Sequence, residues 1–246
     1  MNKIALFADG RVGLECVKFL LPKYIDDISY IVVTNKKSIV YQNLQKIFFD
    51  KKRILFNQNI VNSQLESVDY IFLLWWPHLI KESVIKTAKN GVINTHPSLL
   101  PYNRGKNYNF WNLIEDVPFG VSLHFVSHGI DDGDIIFQKE ISKTWEDNGE
   151  SLYCKAQSEM IKLFKRRYIK ILKSDFFRKT QDLTKGSYHN SKELEPYSEI
   201  FLDKRYLAKD FLNVLRAKTF PPYEGCYFYE DNCKYEIQIK IKKVKE

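Results

Sequence analysis

The chain has 246 residues, of which 44% are hydrophobic and 15% aromatic, so it can bury a large core and is not an intrinsically disordered protein. Its net charge of +8 would suit nucleic acid, a membrane surface or a small anionic ligand, but the basic residues are spread along one predicted helix and an alternating tail, which favours a solvated surface. No apolar run reaches the length of about 18 residues that a membrane span requires, and the four cysteines lack Cys-x-x-Cys spacing, so the sequence predicts neither a membrane protein nor a zinc site.

Strands and helices alternate in the first part of the chain. The segment 3–7 predicts a buried strand, and Asp9 follows it too soon for the apolar core of a signal peptide, so we expect a cytoplasmic protein. Further strands are predicted at 28–33, 68–74 and 91–94, and helices at 10–21 (ended by Pro22), 40–49 and 80–88. This alternation is typical of an α/β fold with a Rossmann-like, mostly parallel sheet flanked by helices.

The second half of the chain changes character near residue 180. Before it, the pattern predicts a helix at 107–114, strands at 119–126 and 134–141, and a long helix at 149–173. After a loop-like stretch, it predicts a helix at 204–218 and a twisted hairpin at 226–244. We therefore expect a large α/β domain over 1–180 and a small C-terminal subdomain of a helix and a β-hairpin over 181–246.

The turn after the first strand has the spacing Gly10-x-x-Gly13. It lacks the full Gly-x-Gly-x-x-Gly fingerprint and an acidic ribose ligand about 20 residues on, so a dinucleotide cofactor is not expected. Two interpretations stay open. Asp9, Gly10 and Arg11 could line a ligand pocket at the carboxyl end of the strand, or the glycines could serve only close packing of strand and helix.

The segment Asn94-Thr95-His96-Pro97 places an amide and an imidazole one residue apart at the end of an apolar strand. Alternation along a strand puts Asn94 and His96 on the same side of the chain, and Pro97 stops the regular structure. In α/β proteins, the residues that bind ligands and carry out catalysis lie at strand ends, as this pair does. A capped turn with a histidine satisfied by the backbone is the alternative.

Four sequence segments together resemble one known family. They are Asn94-x-His96-Pro97-Ser98-Leu99-Leu100-Pro101, Arg104-Gly105-Lys106, Gly120-Val121-Ser122-Leu123-His124-Phe125-Val126 and Ile130-Asp131-Asp132-Gly133-Asp134-Ile135-Ile136. In order and spacing they are similar to the folate-dependent formyltransferases, a family that includes the nucleotide-sugar N-formyltransferases. The resemblance implies the formyltransferase fold, with residues 1–180 as the catalytic domain.

The resemblance assigns Asn94, His96 and Asp131 as the catalytic residues. In formyl transfer an amine attacks the formyl carbon and the carbonyl oxygen gains negative charge, so amide and imidazole donors would stabilise that oxygen. Asp131 would orient His96 or a water molecule and accept the proton that the amine loses. The resemblance assigns His124 a supporting role beside the Asp131 loop.

The formyl donor implied by the resemblance is N10-formyltetrahydrofolate, and no metal is implied. Two segments would bind it. The first follows the third predicted strand and consists of Trp76, Pro77, His78 and Leu79. The second is a later loop that includes Ser127, Asp132, Gly133 and Asp134. Packing alone would also explain the tryptophan.

The loop after Pro101 is the candidate for binding the acceptor. Arg104 and Lys106 suit a phosphate-bearing molecule, and the flanking Tyr102 and Asn107 belong to a run that resembles the sugar subfamily. A second run resembles the short tail of that subfamily, with Arg216 or Lys218 for a diphosphate and Phe220 or Tyr223 for stacking on thymine. An aromatic turn that packs the small subdomain is the alternative for this tail.

The sequence therefore predicts a dTDP-amino-dideoxyhexose N-formyltransferase, with dTDP-4-amino-4,6-dideoxyglucose as first choice of acceptor and the 3-amino isomer as second. The product would feed surface polysaccharide such as the O-antigen of lipopolysaccharide. The predicted partners are the sugar nucleotide and folate, without nucleic acid or membrane, and a second copy of the chain in a homodimer paired through the hairpin. A methionyl-tRNA or other small-amine formyltransferase and a non-catalytic nucleotide-sugar binding protein are the alternatives.

Overall fold

The computed structural model describes residues 2–47, 53–62 and 65–244. Its strands are β1 Ile4–Ala8, β2 Ile28–Val33, β3 Ile54–Phe56, β4 Tyr70–Leu74, β5 Val92–His96, β6 Arg104–Gly105, β7 Gly120–Phe125, β8 Ile135–Glu140, β9 Tyr188–His189, β10 Cys226–Glu230 and β11 Cys233–Ile237. Its α-helices are α1 Gly10–Tyr24, α2 Ile39–Leu44, α3 Glu82–Ile85, α4 Tyr108–Ile114, α5 Gly149–Leu172 and α6 Ala208–Lys218. The predicted α/β fold with a C-terminal helix and hairpin is confirmed.

Seven strands form the main sheet in the order β3-β2-β1-β4-β5-β7-β8. The pairs β2–β3, β1–β2, β1–β4 and β4–β5 are parallel, whereas β5 and β7 are antiparallel. Every residue of β1 and β4 is buried. Strands that are apolar on both faces belong inside a sheet covered on both sides, which is why these segments read as continuous hydrophobic runs.

Contacts divide the chain into two compact units. The first consists of Met1–His96, Ser122–Gln138 and Gln157–Gln181, and the second of Pro97–Val121, Lys139–Ala156 and Asp182–Glu246. In the first, one core cluster gathers Phe7, Val32, Ile71, Leu73 and Val92 from neighbouring strands. In the second, a smaller core forms around Ile200, Leu215 and Cys226.

Several details differ from the predicted elements. Helix α3 covers only Glu82–Ile85 of the predicted 80–88, and strand β3 was not predicted. Helix α1 continues past Pro22 to Tyr24, because a proline in the last turn forfeits one backbone hydrogen bond without ending the helix. The predicted helix 40–49 is confirmed only as Ile39–Leu44, and its last two residues lie outside the described residues. The short strands β6 and β9, which pair in parallel, were not predicted from the sequence.

The cysteines are free thiols, and Cys154 and Cys233 are exposed. Cys16 and Cys226 are buried, and burial raises the pKa of Cys226 to about 11, so its thiol stays neutral. Among the described residues, no group of three or more His, Cys, Asp or Glu has the arrangement of a metal site. Over the same ranges, none of the helices has both the length and the apolar character to cross a bilayer.

Close packing at the first turn of α1 gives a stability prediction. A Cβ added to Gly13 would lie 3.0 Å from both the Ala8 carbonyl carbon and the Leu74 oxygen, which are backbone atoms that cannot move aside. Overpacking costs about 1–3 kcal/mol, more than the gain of up to about 1 kcal/mol from replacing glycine in a helix. We expect Gly13→Ala to lower the free energy of unfolding by about 1 kcal/mol and Gly13→Val by about 3 kcal/mol, measured by urea denaturation.

The matched control is Lys18→Ala on the exposed face of the same helix, where the change should stay within about 0.5 kcal/mol. A Gly13→Ala variant as stable as the wild type would show that the backbone of β1 and β4 yields more easily than this geometry implies.

Candidate active site

The site is built on the end of β5. Asn94 stands opposite His124 of β7, and His96 stands opposite Ser122, so the two polar side chains share one face of the sheet. Thr95 faces the opposite side of the sheet and joins β5 to the end of β4. Its hydroxyl donates to the Leu73 carbonyl at 2.9 Å and accepts from the Trp75 amide at 2.8 Å. The sequence pattern therefore placed Asn94 and His96 correctly relative to each other.

Asp131 reaches the same place from the loop after β7. One carboxylate oxygen accepts a hydrogen bond from Asn94 Nδ2 at 3.2 Å, and the other lies 3.3 Å from His96 Nδ1. The backbone of Asp131 is left-handed, with φ of +53°, which costs an L-residue about 1 kcal/mol. Two residues on, a Cβ at Gly133 would meet the Phe125 carbonyl oxygen at 2.0 Å, so the loop needs glycine there.

His124 completes the cluster and fixes the orientation of Asn94. Its Nδ1–H donates to the Phe125 carbonyl at 2.9 Å, so Nε2 carries the lone pair that accepts from Asn94 Nδ2 at 3.2 Å. Since the Asn94 nitrogen faces both an imidazole lone pair and a carboxylate, the opposite amide orientation would set oxygen against oxygen. The geometry agrees with a supporting role for His124.

The arrangement has the parts for acyl-type chemistry. His96 is held by a carboxylate that would stabilise an imidazolium formed there. Asn94 and His96 are the amide and imidazole donors that a carbonyl oxygen acquiring negative charge requires. The carboxylate of Asp131, 15% exposed, lies within reach of both and can accept a proton.

The segment predicted to bind folate follows β4. The Trp76 ring packs edge-on against Phe7, with centroids 5.3 Å apart, and its indole nitrogen is buried with no hydrogen-bond partner. His78 lies edge-on to the same ring at 5.6 Å, next to Pro77, and Leu79 is 84% exposed. Packing therefore accounts for part of Trp76, while its buried N–H could donate to a ligand.

Two further groups of predicted residues lie at loops of the first unit. Ser127 donates to the Asp132 carboxylate, and Asp134 accepts from the Thr180 hydroxyl at 3.0 Å. After β1, Asp9 accepts from the Ser38 hydroxyl at 2.9 Å, and Ser38 is the N-cap of α2. Beside Asp9, Gly10 is left-handed and Arg11 is exposed.

In the second unit, Arg104 and Lys106 lie on and just after the short strand β6. The Arg104 amide donates to the Ser187 carbonyl and the Lys106 amide to the His189 carbonyl, so β9 fixes this loop. The Arg104 Nε is buried without a hydrogen-bond partner. On either side, the Tyr102 carbonyl accepts from the Ser98 hydroxyl, and Asn107 takes a left-handed backbone at the start of α4.

Glu115, which the sequence did not indicate, anchors this loop. Its carboxylate accepts from Asn103 Nδ2, Ser187 Oγ and His189 Nε2, each at 2.7 Å. His189 also lies 2.8 Å from the carboxylate of Glu193 and stacks on Trp111 at 3.8 Å. The three donors come from positions up to 74 residues away, so no local pattern could have revealed the cluster.

The predicted tail residues are tied into the second unit. Arg216 is buried, and its guanidinium donates to the carbonyls of Thr144 at 2.9 Å and Asp147 at 3.2 Å. Lys218 donates to the Ser198 hydroxyl at 3.0 Å. Burial lowers the pKa of both Arg216 and Lys218.

Arg216 also adjoins a cavity of about 550 Å³ lined in part by Trp145, Lys240, Lys242 and Lys243, which keeps its role in anion binding a prediction. Phe220 packs between Tyr153 and Tyr223, at centroid distances of 5.1 and 5.4 Å. This agrees with an aromatic turn that packs the small subdomain, although Tyr223 is 70% exposed. Stacking of either ring on thymine stays a prediction.

Comparison with known proteins identifies two family models in the chain. The model described as Formyl transferase matches residues 26–167, which is more than half of the chain. The model described as N-formyltransferase dimerization C-terminal domain matches residues 193–243.

Individual relatives carry related names. A dTDP-4-amino-4,6-dideoxyglucose formyltransferase of Mycobacterium bovis is 28% identical over 56% of this chain and 58% of its own length. Among the first curated relatives, the chain spans between 36% and 64% of the length of each.

Two solved structures cover most of the chain. The crystal structure of a 4-N formyltransferase from Francisella tularensis superimposes with a TM-score of 0.84 and 26% identity over 99% of both chains. The formyltransferase PseJ from Anoxybacillus kamchatkensis, solved with UDP-4,6-dideoxy-4-formamido-L-AltNAc and tetrahydrofolate, gives a TM-score of 0.60 and 27% identity over 79% of this chain and 89% of that one. The alignment with the Francisella structure therefore includes residues of both units described above.

The Glu115 anchor yields a prediction about the loop. Glu115→Ala leaves three donors without their acceptor in a half-buried place, and we expect it to lower the free energy of unfolding by about 1–3 kcal/mol, measured by urea denaturation. Glu224→Ala removes an exposed carboxylate paired with Lys234 in the same unit and should cost less than about 1 kcal/mol. Equal losses in the two variants would contradict the anchoring role.

Proposed function

Since the chain belongs to the formyl transferase family, we propose that it transfers a formyl group from N10-formyltetrahydrofolate to the amino group of a dTDP-linked amino-dideoxyhexose. The observation that carries the proposal is the cluster of Asn94, His96 and Asp131, with the carboxylate 3.2 Å from the amide and 3.3 Å from the imidazole. Such a set needs no metal to stabilise an oxyanion and to take up a proton.

The residues present fit folate as the formyl donor. Amide and imidazole donors beside one carboxylate match a carbonyl oxygen that gains charge, and the buried, unpartnered indole nitrogen of Trp76 offers a donor to a polar ligand. The PseJ structure was solved with tetrahydrofolate, which supports the same choice here. When bound, the donor supplies an activated formyl carbon. We propose that Trp76–Leu79 and the loop residues Ser127 and Asp132–Asp134 contact it.

In the proposed reaction, the chain's residues handle one negative charge and one proton. Asn94 and His96 donate hydrogen bonds to the formyl oxygen while the amine nitrogen of the sugar bonds to the formyl carbon. Asp131 accepts the proton that this nitrogen loses, directly or through water, and the departing donor nitrogen regains a proton as its bond to carbon breaks. The products are a formamido sugar and tetrahydrofolate, without a covalent enzyme intermediate.

The choice of acceptor is supported by the names of relatives. The Mycobacterium relative acts on dTDP-4-amino-4,6-dideoxyglucose, and the Francisella structure is of a 4-N formyltransferase. We therefore propose dTDP-4-amino-4,6-dideoxyglucose as acceptor, with the 3-amino isomer second and the product directed to surface polysaccharide. Arg104 and Lys106 are proposed to meet its phosphates, with contributions from Tyr102, Asn107, Asp9–Arg11 and the tail residues Arg216, Lys218, Phe220 and Tyr223.

We further propose that residues 181–246 act as a C-terminal subdomain that pairs two copies of the chain. The match to a dimerization domain over 193–243 supports this. The hairpin β10–β11 also leaves Tyr229 and Tyr235 about half exposed, as expected of rings that pack against a partner.

The proposed chemistry predicts the behaviour of two variants. Asn94→Ala and His96→Ala should each lower turnover by roughly 10²–10³-fold, the scale of losing one oxyanion donor, with folding intact by circular dichroism. Asn90→Ala, an exposed asparagine just before β5, is the matched control and should keep wild-type turnover. Near-normal turnover in either site variant would remove that residue from the mechanism.

The acceptor is tested by a formyl-transfer assay with N10-formyltetrahydrofolate and a panel of amines. The panel holds dTDP-4-amino- and dTDP-3-amino-dideoxyhexoses, UDP- and GDP-linked amino sugars, glycinamide ribonucleotide and aminoacylated initiator tRNA. We expect turnover on one dTDP-sugar, because its amine and diphosphate match the proposed contacts. Turnover only on tRNA or the ribonucleotide would overturn the assignment, and binding of a sugar nucleotide without turnover on any amine would indicate a non-catalytic binder.

A further inference from the structure

The chain segment after α5 holds the loop that carries Asp131. Lys179 exchanges two backbone hydrogen bonds with Ile135, at 2.8 and 2.9 Å. Beside it, Gln181 Nε2 donates to the carbonyls of Asp131 at 2.9 Å and Gly133 at 2.7 Å. One side-chain amide therefore bridges two carbonyl groups of this loop, which belong to residues two positions apart.

The orientation of the Gln181 amide is fixed by chemistry. Carbonyl oxygens only accept hydrogen bonds, so the NH₂ group must face both of them. Gln181 is only 8% exposed, and its Oε1 is buried without a hydrogen-bond partner. The fold thus leaves a buried acceptor unmet in order to present both amide hydrogens to this loop, and such unmet groups are rare enough to need a reason.

The reason lies in the backbone of Asp131. Its left-handed conformation is unfavourable for an L-residue, and such conformations persist when surrounding structure imposes them. The Asp131 carbonyl belongs to the peptide plane that follows Asp131, so a bond to it constrains ψ at that residue. Fixing the backbone fixes the direction of the carboxylate toward Asn94 and His96.

We propose that Gln181 is a positioning residue for Asp131, which rests on the proposed function in so far as Asp131 takes part in formyl transfer. Gln181 contacts backbone carbonyls of the loop, and its effect reaches the chemistry through the carboxylate of Asp131. No feature of the sequence around Gln181 indicates this role, because its partners lie 48 and 50 residues away.

Two substitutions test the proposal by different means. Gln181→Glu keeps the size but sets carboxylate oxygens against two carbonyl oxygens, and Gln181→Met keeps the length without any donor. We expect both to lower kcat by roughly 10–100-fold, because a catalytic group displaced by about 1 Å can lose that much, while the KM values for folate and acceptor change less than about threefold. Thr180→Val removes only the exposed bond to Asp134 and is the matched control, with wild-type kcat.

A second readout does not depend on activity. In protein labelled with ¹⁵N at histidine, the ring nitrogens of His96 report its contact with Asp131, and His96→Gln assigns the signal. Asp131→Asn defines the signature of His96 without its carboxylate partner. We expect Gln181→Glu and Gln181→Met, measured well below their unfolding temperatures, to move the His96 signals in the same direction as Asp131→Asn, with Thr180→Val unchanged.

The outcomes distinguish the positioning role of Gln181 from the proposed formyl-transfer function. His96 signals and kcat at wild-type values in both Gln181 variants would overturn the positioning role, as would a loss of stability with unmoved His96 signals. If the wild type formylates no amine but the Gln181 variants still shift His96, the positioning stands and the proposed function fails. If one variant does not fold, the other decides.

Discussion

The structure of the first unit depends on holding the carboxylate of a loop residue, Asp131, against two donors on strand β5. Asp131 must stay within 3.3 Å of both Asn94 and His96 while it is largely removed from solvent. A carboxylate desolvated in this way is stable only if hydrogen bonds replace its water. Both donors are therefore part of the fold as well as candidates for the chemistry.

The antiparallel pairing of β5 and β7 explains how the loop can reach them. Ile93 lies opposite Phe125, so β7 ends beside the earlier part of β5 and the chain must turn back to pass over Asn94 and His96. The close approach of Gly133 to the Phe125 carbonyl and the left-handed backbone at Asp131 make that return possible. The strain is therefore a consequence of the topology, and the hydrogen bonds from the segment after α5 offset it.

Strand patterns, glycine turns and one family resemblance predicted the fold and the central cluster, because the residues concerned are neighbours in sequence or belong to a motif of fixed order. Alternation alone set Asn94 and His96 side by side. The contacts of Glu115 with His189 and of Gln181 with the Asp131 loop were not predictable, since common residue types meet across 48 to 74 positions. The same holds for Arg216, whose bonds to the carbonyl groups of Thr144 and Asp147 join positions 72 and 69 residues apart.

Asn94 must exchange a hydrogen bond to act in the proposed reaction. Both hydrogens of its amide are engaged, one by Asp131 and one by His124. If Asn94 gave up its bond to His124, the Nε2 lone pair of a side chain that is only 2% exposed would lose its donor. If Asn94 gave up its bond to Asp131, that carboxylate, which is 15% exposed, would keep His96 as a donor. The bond to Asp131 is therefore the cheaper one to exchange for a substrate oxygen. This exchange also removes a donor from the carboxylate at the moment when it has to accept a proton, and a carboxylate with fewer hydrogen bonds is the stronger base.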